Sequence, residues 1–319
     1  MLRNKADMMK IKNLKILVTG GAGFIGSHLV DELIKQGAEV TILDILPKVS
    51  MDRIKDMEKI TILEKFDICK YNNFERLNID IDAIVHLAAI TNPPFCEKNP
   101  EEAFKTNVLG TYNILKYANS ISCKDFVFTS SAHVYGKNYK SVPLKETDFI
   151  DISEHVYPMT KFFGEQLCKT FINSNIMNIS YFRLTACFGP RQDTAYFMPT
   201  ILSQVARGED IEIWTTEPYR DFIYVYDVIA AIVKAVEMNL NEGPINLGSG
   251  KEYQLGDIAH MIADPDGKKV ISLNKKVTGQ IRQNVDISKA EKILNWRPKH
   301  DLKEAIAESL AWYKNNTKV

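Results

Sequence analysis

The chain has 319 residues, 45% hydrophobic and 25% charged, the balance of a soluble globular protein with room for two domains or for one large domain carrying a lobe. Lys plus Arg and Asp plus Glu number 40 each, so no overall field draws nucleic acid or an anionic membrane, and an anionic ligand must be met by local groups. The five cysteines, Cys69, Cys96, Cys123, Cys168 and Cys187, are odd in number, far apart and without a C-x-x-C pair, which argues against a disulfide framework or a zinc site and fits a reducing cytoplasm.

The first 13 residues, MLRNKADMMKIKN, are charged and lead into no apolar segment of the signal type. No run of about 18 apolar residues follows anywhere, so the expectation is a protein without a membrane span. Apolar, β-rich runs at Leu14–Thr19, Glu39–Leu43, Ile60–Leu63, Asp82–Ala88, Asp125–Thr129 and Asn178–Leu184 read as short buried strands. Amphipathic stretches at Phe24–Gln36, Glu101–Asn119 and Thr160–Asn173 lie between them, and strand alternating with helix predicts a parallel sheet covered on both faces, with right-handed crossovers. After about residue 185 Pro and Gly become frequent, the strands less regular, and a helix-like Leu302–Lys314 closes the chain. This predicts a smaller lobe forming one side of a cleft.

Three stretches bear on chemistry. TGGAGFIG, Thr19 to Gly26, follows a strand and opens a helix, and Gly21, Gly23 and Gly26 fit G-x-G-x-x-G. That context suits a pyrophosphate held by backbone N–H groups at a helix N-terminus. At Asp44, 18 residues beyond Gly26, a strand ends in a carboxylate placed to accept hydrogen bonds from an adenosine ribose, although an aspartate there also caps turns. A carboxylate would repel a 2′-phosphate, and the residues that follow offer Lys48 but no arginine, which favours NAD over NADP. TSSAHVYG, residues 129–136, ends another strand. Tyr157 and Lys161 in YPMTK stand four residues apart, so on a helix both side chains share one face, while Phe163, Leu167, Cys168 and Phe171 form an apolar stripe expected to face the core. Pro158 suits a first helical turn and biases Tyr157 toward the helix edge.

These motifs, with HLAA (86–89), NVLGTYN (107–113), FGPRQ (188–192), RDFIYVYDV (220–228), INLGSG (245–250) and DISKAEKILNWRP (286–298), resemble in order those of the extended short-chain dehydrogenase/reductases, specifically the NAD-dependent nucleotide-sugar epimerase/dehydratase group similar to UDP-glucose 4-epimerase. The resemblance implies an α/β fold: a doubly wound parallel sheet (Rossmann) at 1–184 that binds NAD, and a smaller mixed C-terminal lobe at 185–319 that binds the nucleotide sugar, parts of 220–250 packing back on the first domain. It implies cofactor contacts from Gly20, Gly23, Phe24, Ile25, Gly26, Asp44, Asp67, Ile68, Leu87, Ala88, Ala89, Asn107, Tyr157 and Lys161. It implies catalysis by Tyr157 as base, Lys161 and Ser131, with Ser131, His133, Arg220 and Arg282 on the substrate. Ser131 matches a hydroxyl bridging the reacting oxygen and the tyrosine, and no G-x-S-x-G elbow with His and Asp is present to make it a nucleophile. Asp221 stands next to Arg220 as a competing ion-pair partner, and Arg191 is a weaker phosphate candidate.

A free tyrosine titrates near 10, so a base working near pH 7 needs a shift of roughly three units, about 4 kcal/mol. One ammonium at about 4 Å supplies on the order of 4 kcal/mol at an effective dielectric of about 20. Lys161 is therefore expected to carry most of the shift.

Sugar 4,6-dehydratases that resemble this chain hold an Asp-Glu pair where Ala132 and His133 stand, and sugar-acid decarboxylases of the group usually hold a glutamate in the place of His133. Alanine can neither take nor give a proton. The reading that remains is a nucleotide-sugar 4-epimerase acting on UDP-hexoses through a keto-sugar intermediate. Its alternatives are a reductase of a 4-keto-6-deoxy sugar nucleotide, a 4,6-dehydratase, and a non-catalytic NAD- or sugar-nucleotide-binding protein. Ala186 replaces an asparagine usual in relatives, and WTTEPYRDF lacks their glycines, so base and sugar stay open. The helices around 101–119 and 160–173 resemble those that pair in homodimers of relatives.

Overall fold

The computed structural model describes residues 10–47, 53–137, 142–153, 155–172, 177–276 and 280–316; Lys48 and the first nine residues lie outside them. Thirteen strands run in chain order as β1 (Lys15–Thr19), β2 (Glu39–Leu43), β3 (Ile60–Leu63), β4 (Ala83–His86), β5 (Asp125–Ser131), β6 (Asn178–Leu184), β7 (Ala186–Phe188), β8 (Ile211–Ile213), β9 (Tyr219–Tyr224), β10 (Glu242–Leu247), β11 (Glu252–Gln254), β12 (Val270–Ser272) and β13 (Arg282–Gln283). Seven of them form one sheet in the order β10-β6-β5-β4-β1-β2-β3, and every pairing in it is parallel. Central strands β4 (AIVH) and β5 (DFVFTSS) are buried along their whole length, as a sheet covered on both faces requires.

The sheet is built outward from β1, toward β2 and β3 on one side and toward β4, β5, β6 and β10 on the other. The carboxyl ends on either side of that reversal diverge and leave a crevice between their connections. The smaller sheets set β9 at the centre of a mixed array with β7, β11 and β13, and pair β12 with β8. No helix among the described residues is long and apolar enough to cross a membrane.

Two helices depart from their expected form. The stretch expected as one helix at 101–119 is Pro100–Phe104, a π-helical turn Lys105–Gly110, and Thr111–Ser120. The helix expected from Thr160 runs Val156–Ile172, with Pro158 in its first turn, where no backbone donor is lost. Its buried face carries Tyr157, Lys161, Gly164, Glu165 and Cys168, whereas Phe163 is exposed against Phe104. Of the expected stripe, Leu167, Cys168 and Phe171 do pack on the core and Phe163 departs from it, while polar residues share the inward face because partners are available inside. Glu165 accepts from Ser130 Oγ at 2.6 Å and forms a fully buried pair with Arg183 at 2.8 Å.

Candidate active site

The ends of β1, β5 and β6 and the connection after β4 open into a cleft of about 590 Å3. Its walls carry Gly20, Gly23, Phe24, Ile25, Gly26, Leu87, Ala89, Ser131, His133, Tyr157, Lys161 and Arg220, so most of the residues expected from sequence meet in one place. A second cavity of about 440 Å3 shares His133 and Arg220 with it and extends past Pro158, Trp214 and Gln280.

The nucleotide end is set by steric demand. Gly20 adopts φ +68°, and a Cβ there would lie 2.7 Å from the Ala88 nitrogen; a Cβ on Gly26 would run into the Gly20 carbonyl. The Phe24–Lys35 helix that follows begins at Gly23 with no side-chain cap and no acidic residue in its first turn. Its backbone donors thus face the cleft as an anion site, and the residues present fit a dinucleotide diphosphate. Asp44 does not line the cleft. Its Oδ2 accepts from Ala22 N and its Oδ1 from Leu46 N, both at 3.0 Å, so the carboxylate pins the glycine turn itself and keeps only its remaining lone pairs for a ribose.

Asp67, Ile68, Ala88 and Asn107 also lie off the walls. Asp67 Oδ1 accepts from Cys69 N at 2.9 Å, and the Ile68 carbonyl accepts from Asn113 at 2.9 Å. Asn107, in the π-helical turn, accepts from Ile90 N at 2.7 Å and donates to the Ile90 carbonyl at 2.9 Å and to Thr160 Oγ1 at 3.0 Å. Thr160 Oγ1 in turn donates to the Tyr157 carbonyl at 2.8 Å. Single-turn π elements of this kind often mark functional sites, and here the turn aims one amide at two segments of the cleft.

At the chemical end, Ser131 closes β5 and its Oγ lies 3.0 Å from His133 Nδ1. The Tyr157 and His133 rings meet edge to face, 5.8 Å between centroids. Burial, with the Arg220 and His155 charges adding to it, pulls His133 down to about 4, so its ring is neutral at pH 7. Lys161 Nζ donates to the Thr129 carbonyl at 2.7 Å, and burial lowers it to about 8.

Tyr157 corrects the electrostatic argument made from spacing. Burial pushes its phenol above the ordinary tyrosine range, the Ser131 hydrogen bond opposes that, and Lys161 is not among the groups acting on it. The ammonium is engaged with Thr129, and desolvation of a phenolate outweighs what a neighbouring hydroxyl returns. The described residues therefore hold Tyr157 as a phenol.

Arg220 is half-buried on the cleft wall, with no carboxylate partner among the described residues. It donates to the carbonyls of Tyr219 at 2.7 Å, Gln280 at 2.9 Å and Ile281 at 3.4 Å, and burial lowers it to about 10. Its neighbour Asp221 is taken by Ser249 N at 2.6 Å, Ser249 Oγ at 2.7 Å and Gly250 N at 3.1 Å, so the two do not pair. Arg282 is not brought to the cleft: its guanidinium pairs with Glu252 and sits over the Tyr219 ring, 4.0 Å from the centroid. Arg191 is likewise paired, with Asp31 at 2.7 Å.

The sequence reading passed over Arg53, Thr91 and Tyr196, which also line the cleft, Thr91 Oγ1 meeting Tyr196 OH at 2.7 Å. Arg53 follows no motif, so nothing in its neighbours announces it. Glu165 did carry a signal, one turn beyond Lys161 on the same face.

Residues 16–248 match the model of the NAD dependent epimerase/dehydratase family. A putative UDP-glucose 4-epimerase of Methanocaldococcus jannaschii is 33% identical over 312 residues, covering 95% of this chain and 99% of that protein. UDP-glucuronic acid decarboxylase 1 of Arabidopsis thaliana is 30% identical over 314 residues, 95% of this chain and 71% of that one. Among solved structures, the UDP-N-acetylglucosamine 4-epimerase of Methanobrevibacter ruminantium M1 superposes with a TM-score of 0.88 at 30% identity, over 96% of this chain and all of that one. The glycine turn, the Ser131, Tyr157 and Lys161 cluster and these matches agree, and the chain belongs to the NAD dependent epimerase/dehydratase family.

Proposed function

We propose that this protein is a nucleotide-sugar 4-epimerase, with UDP-hexoses as its substrates. The observation that carries the reading is the side chain beside Ser131. Ala132 is fully buried and His133, half-buried on the cleft wall, is neutral, so no carboxylate stands where dehydration or sugar-acid chemistry would draw its second proton-transfer group. Relatives include epimerases and decarboxylases, which both oxidise a sugar carbon; what differs is the chemistry after that oxidation.

NAD, the cofactor of the family, supplies reversible hydride transfer when held along Gly20–Gly26. Tyr157, shifted toward phenolate by the positive charge that bound NAD would supply, takes the proton of the sugar hydroxyl and later gives it back, and its burial excludes water from the exchange. Ser131 Oγ lies between that phenol and His133 and orients the hydroxyl oxygen. Lys161, tied to Thr129, fixes the strand end from which Ser131 projects and contributes a nearby cationic head. Arg220 meets the substrate diphosphate, the anion its half-buried guanidinium lacks. His133 is a neutral wall and hydrogen-bond partner, not the acid of a dehydration.

Leu109, Tyr112 and Phe163 are exposed apolar side chains on the helices at 100–120 and 156–172, and we place the homodimer contact there. The five free cysteines suit a cytoplasmic enzyme. The reading is tested by offering a panel of UDP-, dTDP-, GDP- and CDP-sugars and following products by proton NMR.

A further inference from the structure

Behind the cleft lies a buried histidine that this mechanism leaves unused. His86 ends β4, and both its ring nitrogens are engaged: Nδ1 with Thr19 Oγ1 at 2.7 Å and Nε2 with Thr111 Oγ1 at 2.9 Å. The direction of each bond follows from the hydroxyls. Thr111 Oγ1 has one proton and gives it to the Asn107 carbonyl at 2.7 Å, which can only accept. Thr111 Oγ1 must then accept from His86, so Nε2 carries the ring proton. Burial keeps the imidazole neutral, pulling it down to about 3, and leaves Nδ1 bare to accept the Thr19 hydroxyl proton. Thr19 Oγ1 in turn accepts from Ala88 N at 3.2 Å. Every hydrogen bond from Ala88 to Asn107 thus points the same way.

The two ends of this chain are the two ends of the site. Thr19 precedes Gly20, and the Ala88 nitrogen is the atom that a Cβ on Gly20 would meet. Asn107 grips Ile90 and Thr160, and Thr160 holds the Tyr157 carbonyl. We infer that His86 is a positioning residue that sets the nucleotide-binding turn in register with the Asn107 knot carrying Tyr157. A single polarity allows one arrangement of donors and acceptors, so neither end can shift without leaving a buried group unpaired. The inference rests on Gly20–Gly26 as the NAD site and is independent of which sugar is turned over.

Two measurements test it, neither needing a substrate. Nitrogen-15 NMR of the histidine rings in the holoenzyme reads the polarity directly: Nε2 of His86 protonated, Nδ1 bare, and no titration between about pH 5 and 8. A proton on Nδ1, or a titration in that range, overturns the inference. The second follows NAD leaving the holoenzymes of Thr111→Val and Thr111→Ser, Thr111 being off the cleft walls and hydrogen-bonded to the nucleotide turn through His86. Thr111→Val is expected to release NAD about tenfold faster, the equivalent of one lost buried hydrogen bond, and Thr111→Ser to stay within about twofold of the parent. A Thr111→Val protein with lowered thermal midpoint and unchanged NAD release makes the bond merely structural and refutes the coupling. Should that variant not fold, the ring-nitrogen measurement on the unmodified protein decides alone.

Discussion

Lys161 Nζ donates its hydrogen bond to the carbonyl of Thr129, two residues before Ser131, at 2.7 Å. The lysine four residues beyond the proposed base therefore braces the strand end that presents Ser131, and the described residues by themselves leave Tyr157 a phenol. Lys161→Met removes that brace and the nearby cationic head together. It is expected to lower kcat by about tenfold or more, with the thermal midpoint measured alongside to score the lost buried hydrogen bond. Tyr157→Phe removes only the proton carrier. Its kcat should fall by about two to four orders of magnitude, the range of a lost general base, while NAD binding stays within about fivefold. A Tyr157→Phe enzyme at parental kcat would refute the proton-transfer role.

The cofactor released on denaturing the purified protein should be NAD. Asp44 places a carboxylate at the end of β2, and its bonds to Ala22 and Leu46 keep it there whether or not a ribose is bound. A 2′-phosphate beside that carboxylate is repelled. Arg53, among the described residues on the cleft wall, is a cation that sequence did not announce, and recovery of NADP would mean that Arg53 and not Asp44 sets the choice.

Arg220→Met separates binding from folding. The half-buried guanidinium donates to three carbonyls and, among the described residues, to no carboxylate, so its loss leaves no buried anion behind. We expect KM for the sugar nucleotide to rise by about tenfold to a hundredfold, the value of a charge-assisted hydrogen bond, with the thermal midpoint unchanged or raised. A sharp loss of stability at unchanged KM would make Arg220 a structural clamp on the 280–281 segment.

Acid should destabilise the fold well above the ordinary carboxylate range. His28, His86 and His133 are held near about 4, 3 and 4 by burial. Unfolded, each recovers a value near 6.5, so the stability they contribute is complete above that pH and is lost as the pH falls below it. Asp221, raised to about 6 by burial, works oppositely: its contribution is present at low pH and lost as the pH rises through about 6. Unfolding should therefore take up about two protons net between pH 5 and 6, a slope of about 3 kcal/mol per pH unit. Chemical denaturation at a series of pH values checks this, and a flat profile would contradict it.

What the sequence disclosed follows from how few residues each demand tolerates. A turn that brings backbone against backbone at Gly20 and Gly26 admits only glycine, so the glycine turn was readable, whereas Asp44, Asp67, Ile68, Ala88 and Asn107 lie off the cleft walls. Tyr157 and Lys161 were readable as a pair from spacing, Ser131 only from the family resemblance, and all three line one cleft. Quantities set by burial were not: neither the raised phenol of Tyr157 nor the pairing of Arg282 with Glu252 has a local signature. On the helix after Tyr157 the apolar stripe held at Leu167, Cys168 and Phe171 and failed at Phe163, and it gave no sign that Glu165 turns inward to partners on β5 and β6. The π-helical turn at Lys105–Gly110 was hidden because a helix with one inserted residue keeps nearly the same apolar pattern.

The most direct measurement is proton NMR of sugar nucleotides incubated with the purified protein and no added reduced cofactor. A 4-epimerase gives the C4 epimer at equilibrium with the starting sugar, from either direction, with the bound NAD recovered oxidised. A pentose product with release of carbon dioxide, a 4-keto-6-deoxy sugar, or turnover only when reduced cofactor is supplied would contradict the account.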